Sequence, residues 1–589
     1  MRQLVIFSFL VVLVFVISGV KAQVPTMVQD INPNGDGFAD YMTAVGSDVF
    51  FRATNNTFGS ELWKYDGNEA VVVDINQGVG SSNPVNLVSL DSSLVFVANS
   101  GIEGSELWQY DGTSSSLIRD IFPGSSSSSP SELTVYKNEL YFRAKDGSKG
   151  SELWKYNGDT VMMVQDIKSG AGSSLPLGLR VIGDYLYFTA NDGTHGLELW
   201  KYDGIGAVMV MDIWNGAASA FGSESYLIEF GSEVYFAAND GLNGSELWRY
   251  DGDTAVMVAD INLTGSSNPE HLTVLGTDLY FAADDGIHGA ELWKYNGDTA
   301  VMVQDIRVGP DGSDLSRFST FQSEVYFAAN DGVNPLTLCK SDGDTIVHVA
   351  DDPSDFFDPN FMTVFQDKLY FTVNTNAFGS DLVAYDGTTI SQLDLNTGTG
   401  ASAASNFEVI GCSLYFEAKD NDVNGKELWV LSGVDNGITQ IGETLSANTS
   451  GATYQWLECS NNNQPVAGAT GQSFAPTKNG SYAVQITEGG CTTISTCVNM
   501  TVVGLEDLST SPIKVYPTIS EGFATIDLGA VQNEVSISVR NINGQLMATH
   551  GPINAAKQLD IVLPQAKGLY FVEVKSANTA STRFKVIKR

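Results

Sequence analysis

One phrase, Gly-x-Glu-Leu-Trp-Lys-Tyr-Asp-Gly, constrains this chain more than any other feature, because variants of it return nine times at intervals of about 46 residues. Its tryptophans are Trp63, Trp108, Trp154, Trp200, Trp248 and Trp293; Cys339 and Val383 then occupy the same slot, and Trp429 closes the series. A fixed period of that size belongs to stacked or radial repeat architectures. In these the recurring residues build the frame, and function resides in what the repeats present outward.

Within one period the residues predict four short strands. In the unit from Leu272 to Ile306 these are Leu272-Thr-Val-Leu, Leu279-Tyr-Phe-Ala-Ala, Glu291-Leu-Trp-Lys-Tyr295 and Ala300-Val-Met-Val-Gln-Asp-Ile306, all rich in β-branched and aromatic residues. Gly276-Thr-Asp, Asp285-Gly-Ile-His-Gly289 and Asn296-Gly-Asp-Thr separate them. Asp-Gly and Asn-Gly pairs favour tight hairpins because both residues tolerate positive φ. The fold class that follows is all-β: a β-propeller of about nine four-stranded blades. Trp, Leu, Tyr and Phe are expected between blades, and the Asp of each Asp-Ile pair and Asp-Gly turn on local backbone amides.

Eight units carry all four strands, their fourth strands ending at Ile75, Ile121, Ile167, Ile213, Ile261, Ile306, Asp351 and Leu395, whereas the ninth stops after Glu427-Leu-Trp429. Its missing strand stands at the other end of the chain as Thr26-Met-Val-Gln-Asp-Ile31. The two ends are therefore expected to complete one composite blade and remove two open sheet edges. Two smaller rings, or an open superhelix, are the alternatives to a single ring.

Glu152-Leu-Trp-Lys-Tyr-Asn-Gly, Glu198-Leu-Trp-Lys-Tyr-Asp-Gly and Glu246-Leu-Trp-Arg-Tyr-Asp-Gly resemble the ELWxxDGT repeat of exported bacterial proteins, over residues 24–432. The signature decays at Leu338-Cys-Lys and Leu382-Val-Ala. The resemblance implies this fold and export, and carries no defined activity.

Export is also written at the N-terminus. Arg2 precedes an apolar run from Leu4 to Ile17, and Val20-Lys21-Ala22 supplies small residues for signal cleavage between Ala22 and Gln23. That run is short for a membrane span, and no later segment predicts a transmembrane helix. With 69 acidic against 31 basic residues and a formal charge of −38, the chain lacks the basic faces that nucleic acid requires. Of five cysteines, Cys459, Cys491 and Cys497 fall close together, which fits a local disulfide from Cys459 to Cys491 or Cys497. Cys339 reads as a buried thiol, and no Cys or His spacing suits zinc.

The loops joining second to third strands, and fourth strands to the next first strand, should emerge on one face. Asn76-Gln-Gly-Val-Gly-Ser-Ser-Asn-Pro84 and Phe122-Pro-Gly-Ser-Ser-Ser-Ser-Ser-Pro130 make that face rich in carboxylate, hydroxyl and amide oxygen. Such surroundings suit sugar hydroxyls and admit calcium, although no cofactor is required. The nearest approach to a cation loop is Asp420-Asn-Asp422-Val-Asn424-Gly, making Asp420, Asp422 and Asn424 the metal candidates. His195 and His288 hold matching turn slots, which points to inherited turn composition. The spacing of the five histidines suggests no nucleophile–base–orienter set, and none of the many carboxylates is singled out as a glycosidase pair.

After Trp429 the period stops. Thr453-Tyr-Gln-Trp456, Gln472-Ser-Phe-Ala475, Gly480-Ser-Tyr-Ala-Val-Gln-Ile486 and Cys497-Val-Asn-Met-Thr-Val502 resemble the immunoglobulin-like modules of exported Bacteroidetes proteins. Val515-Tyr-Pro517, Gly522, the strand from Val535 to Gly544, Gly568-Leu-Tyr-Phe-Val-Glu-Val574 and Phe584-Lys-Val-Ile-Lys-Arg589 resemble the type A C-terminal sorting domain of type IX secretion, with Thr518-Ile519 replacing the usual Asn-Pro. That resemblance implies passage across the outer membrane on the type IX machinery, followed by release or attachment at the cell surface.

The domain reading is a signal peptide at 1–22, a propeller at 23–432, a linker at 433–441, an immunoglobulin-like sandwich at 442–504 and a sorting domain at 505–589. The functional expectation is a secreted or cell-surface repeat protein, non-enzymatic, binding glycan or another surface polymer through the propeller loops. The alternatives are an extracellular polysaccharide-active enzyme and a purely structural coat protein.

Overall fold

The computed structural model describes residues 25–222, 226–334, 336–349, 357–375, 379–393, 395, 400–420, 424–488, 491–501, 513–554, 556–576 and 579–589. The signal segment with Ala22 and Gln23, the metal candidate Asp422, and Asp351 lie outside them. Two compact units divide the chain, Met1–Asp435 and Asn436–Arg589.

In the first unit the described strands form nine antiparallel blades, two of which are joined into one larger sheet by a single pairing of Thr337 with Phe357. Blade 6 runs Glu270–Leu275, Asp278–Asp284, Ala290–Tyr295 and Ala300–Gln304, the predicted four strands in the predicted order. First strands of neighbouring blades lie side by side, as where Thr43 Oγ1 donates to the Leu87 carbonyl at 3.0 Å. They are therefore the inner strands and the fourth strands the outer ones.

The cores settle the topology. One apolar cluster fills each interface from blade 1 to blade 9 in turn. A further cluster packs Tyr415 and Leu428 of blade 9 against Phe51, Ala53 and Trp63 of blade 1. The array is a single closed ring. Every blade places at least one buried second-strand phenylalanine in these interfaces, from Phe51 through Phe236 to Phe416. Each such side chain contributes about 1.5–3 kcal/mol on leaving water.

The composite blade has its expected partners: Thr26 pairs with Val430 and Met27 with Trp429, and the Val28 N–H donates to the Leu428 carbonyl at 2.8 Å. Its regular strand is only Thr26–Met27, shorter than the segment to Ile31. Beyond it, Ile31 and Asn32 turn to bond the Glu427 carboxylate. Closure is tight there. A Cβ on Gly425, where φ is +69°, would sit 2.3 Å from the Gly35 carbonyl oxygen.

The second unit holds small sheets. Ile438–Ile441, expected as linker, is a strand paired with Thr444–Ala447, which in turn pairs with Ser473–Phe474. Thr453–Glu458 and Gly480–Glu488 belong to a second sheet, and fully buried Trp456 stacks across on Phe474 with ring centroids 5.2 Å apart. Cys459 is bonded to Cys497. Farther on, Lys514–Tyr516, Phe523–Gln532 and Ala556–Val562 form one sheet, and Val535–Asn541, Leu546–Ile553, Gly568–Ser576 and Thr579–Lys588 belong to another. Their shared core includes Ile526, Ile537, Val572 and Phe584.

Candidate functional site

An acidic residue is buried in every ordinary repeat of the ring. Glu61 Oε2 accepts the Ile75 N–H at 2.9 Å and the Ser82 hydroxyl at 2.6 Å, while Oε1 accepts the Ser82 N–H at 2.7 Å. The same clamp recurs at Glu106, Glu152, Glu246 and Glu291 on their own connectors. Blade 4 differs, since Glu198 meets Ala220, which offers only its N–H. At the seam Glu427 binds the Ile31 and Asn32 N–H groups, again without a hydroxyl. Burial raises all seven carboxyls above the ordinary range. It pushes the two lacking a hydroxyl donor furthest, Glu198 to about 7 and Glu427 to about 8.

These clamps fix the connectors on one face. The turn between second and third strands packs on the preceding connector, as where a Cβ on Gly241 would lie 2.3 Å from Trp214 Nε1. Aliphatic tips project from this face: Val79, Ile102, Leu242, Leu263, Ile287 and Val333 are 67–89 % exposed. His195 and His288 each bond the aspartate of their own turn, Asp192 at 2.7 Å and Asp285 at 2.8 Å, which raises the histidine pKa. Asn424 Nδ2 donates to both carboxylate oxygens of Asp420, at 3.2 and 3.1 Å. Among the described residues no group of three His, Cys, Asp or Glu is arranged to hold a metal.

One position recurs from blade to blade and varies in side chain, and its left-handed backbone recurs in eight of the blades. It lies four residues before the end of each first strand and holds Tyr41, Asn86, Glu132, Gly178, Tyr226, His271, Arg317, Phe361 and Asn406. Tyr41, Glu132, His271, Arg317 and Phe361 adopt φ of 51–60°, a left-handed conformation that such residues rarely accept. A register shift beside it, between Asp40 and Thr43 in blade 1, marks a β-bulge, which re-aims the side chain. Because first strands are innermost and begin at the connectors, these residues rim the axis on the connector face. Tyr41, Tyr226 and Phe361 are 44, 59 and 40 % exposed. The Arg52 guanidinium lies 4.7 Å from the Tyr41 ring centroid, and the His271 ring stacks on Phe318 at 5.4 Å.

Between blades 5 and 6 a cavity of about 180 Å³ opens beside this rim, lined in part by Tyr226, Ser245, Asn268 and Glu270. Blade 7 departs in another way. Thr337 and Cys339 replace the Glu and Trp of the repeat, and His348 stands opposite Cys339 on the fourth strand. His348 Nδ1 lies 3.5 Å from Cys339 Sγ and 3.0 Å from Thr337 Oγ1, with Nε2 3.3 Å from Asp331 Oδ2. The structure therefore assembles a thiol–imidazole–carboxylate set that spacing did not suggest. Its thiol is 1 % exposed, and burial pushes its pKa to about 12, so it is a packed neutral group and no nucleophile.

Three features escaped sequence reasoning. The buried glutamates looked like ordinary strand residues, although a charge repeated in a core strand beside Trp was a usable signal. The blade 7 set depends on cross-strand register. The rim position needed the bulge to be seen.

Residues 514–589 match the family model of the secretion system C-terminal sorting domain. No curated protein matches the chain. Among solved structures, it is similar at 11 % identity to a prolyl endopeptidase, with a TM-score of 0.34 over 58 % of this chain and 55 % of that one. The chain thus spans about half the length of that protein. The β-propeller domain of the trilobed protease from Pyrococcus furiosus matches at 11 % identity and TM-score 0.31, over 60 % of this chain and 98 % of that one. A GH74 enzyme from Niastella koreensis matches at 10 % identity and TM-score 0.29, over 96 and 92 %. Among the described residues no helix is long and apolar enough to cross a membrane. At residues 514–589 the chain carries a type IX sorting domain, the mark of a protein exported to the cell surface or released beyond it.

Proposed function

We propose that this exported protein binds an extracellular glycan or another surface polymer through the connector face of its propeller, without a chemical step of its own. The observation that carries the reading is the rim, where an equivalent position presents a different side chain from nearly every blade, with exposed aromatic residues Tyr41, Tyr226 and Phe361. Aromatic faces pack on the apolar faces of sugar rings, and the surrounding hydroxyl, amide and carboxylate oxygens suit sugar hydroxyls. Buried glutamate clamps hold seven of the connectors in place before a ligand arrives, which lowers the entropic cost of binding. A polymer can meet several rim residues at once and gain from their number. Export on the type IX machinery brings the face to such polymers.

The test is a glycan array probed with the whole protein, with and without calcium. Binding that weakens in a Tyr41→Ala/Phe361→Ala variant supports the reading. Absence of binding to every polymer in both conditions would contradict it.

A further inference from the structure

We infer that the cavity between blades 5 and 6 seats one neutral pyranose ring of the bound polymer, stacked on Tyr226 with its hydroxyls toward Glu270, Asn268 and Ser245. This deepens the glycan reading above and rests on it.

The cavity lies where the repeat is broken. The first strand of blade 5 is only Ile228–Phe230, whereas its neighbour in blade 6 has six residues, Glu270–Leu275. The connector entering blade 5 reads Ala220-Phe221-Gly222, where the next reads Ser267-Asn268-Pro269. Ala220 gives up the hydroxyl that other connectors direct at their glutamate. Small residues, Ala220, Gly222 and Ala237, line the opened space, and Leu272 and Pro269 add apolar surface. Tyr226, 59 % exposed, belongs to the same lining.

That lining suits a ring with one apolar face and an edge of hydroxyls. Tyr226 offers the flat surface, Glu270 accepts, Asn268 both donates and accepts, and Ser245 does either. The same lining rejects anionic sugars. Among the described residues it contains a carboxylate and neither lysine nor arginine, in a chain whose formal charge is −38. A uronate or sulfate would meet like charge with no compensating partner.

Isothermal titration of the whole protein with neutral glucose, mannose and galactose hexasaccharides, and with a galacturonate hexasaccharide, tests the assignment. At least one neutral hexasaccharide should bind more tightly than galacturonate, and Tyr226→Ala should weaken it about tenfold without moving the melting temperature. Ile205→Ala, exposed in the hairpin between the third and fourth strands of blade 4 and so away from the connector face, should leave that affinity unchanged. Glu270→Lys should raise affinity for the galacturonate probe. Neutral binding that is indifferent to Tyr226→Ala, or galacturonate binding as tight as neutral, overturns the seat and leaves the glycan surface standing. If neither the hexasaccharides nor any polymer on the array binds, seat and surface fall together.

Discussion

Glu427 Oε2 accepts the Ile31 N–H at 3.1 Å across 396 residues of chain, in the bond that Glu61 makes to Ile75 over only 14 residues at 2.9 Å. The seam of the ring thus keeps the ordinary clamp and connector but lacks the hairpin that joins third to fourth strand in the other blades. Around it the Gly37 N–H donates to the Lys426 carbonyl at 2.7 Å, and the Lys426 N–H to Asp36 Oδ1 at 2.8 Å. Non-covalent bonds alone stand in for the peptide chain there, so the seam is where the ring should open first.

Glu427→Ala leaves two buried N–H groups without an acceptor, which costs about 2–6 kcal/mol. The N-terminal strand should then fray, detected as faster proteolysis between residues 25 and 40. Glu152→Ala breaks a comparable clamp in blade 3, but there a covalent hairpin ties the fourth strand to the third. It should lower the melting temperature without exposing the N-terminus. Equal N-terminal cleavage in both variants would contradict this distinction.

Glu198 and Glu427 have folded pKa values of about 7 and 8 against an ordinary 4.5. A carboxyl raised in this way holds its proton more tightly when folded. Its contribution is complete below about pH 4.5 and is lost as pH rises through the folded value. Ring stability measured by denaturant titration should therefore fall between about pH 5 and pH 8 from these two groups. Ala220→Ser supplies the missing hydroxyl in blade 4, which lowers the Glu198 pKa and makes the slope shallower. An unchanged slope would show that the hydroxyl does not set the difference.

Cys339 should resist alkylation by iodoacetamide at about pH 8 in the native protein and react promptly in denaturant, because only an exposed thiolate is a nucleophile. Mass spectrometry of the labelled peptide reads the result. Native labelling at the rate of a free thiol would mean that the His348 side of the set opens to solvent.

Much of the ring was legible because its strongest signals are local. Trp, Leu and Tyr alternate within single strands, and Asp-Gly marks each hairpin, so strand order and the composite blade follow from spacing. The Asp-Gly turns also bond as expected, with Asp66 Oδ1 accepting the Asn68 and Glu69 N–H groups. What remained hidden depends on partners brought together by folding. Glu61 finds Ser82 only after a fourth strand and a connector intervene, and Cys339 meets His348 only through strand register. The weight of Tyr226 comes from a strand that is shorter than its neighbours, which composition does not reveal.

Removing residues 24–31 deletes the fourth strand of the composite blade together with Ile31, the first Glu427 partner. The truncated protein should melt at lower temperature than the parent, as an open edge replaces a paired one. Identical melting curves would mean that the ring does not depend on this segment.

The most direct measurement is a crosslink across the seam. Thr26 and Val430 are paired Cα partners, so a Thr26→Cys/Val430→Cys variant should form an intramolecular disulfide on oxidation, seen by peptide mapping, and should melt above the reduced form. Two thiols that both remain alkylatable after oxidation would contradict closure of the ring by its first strand.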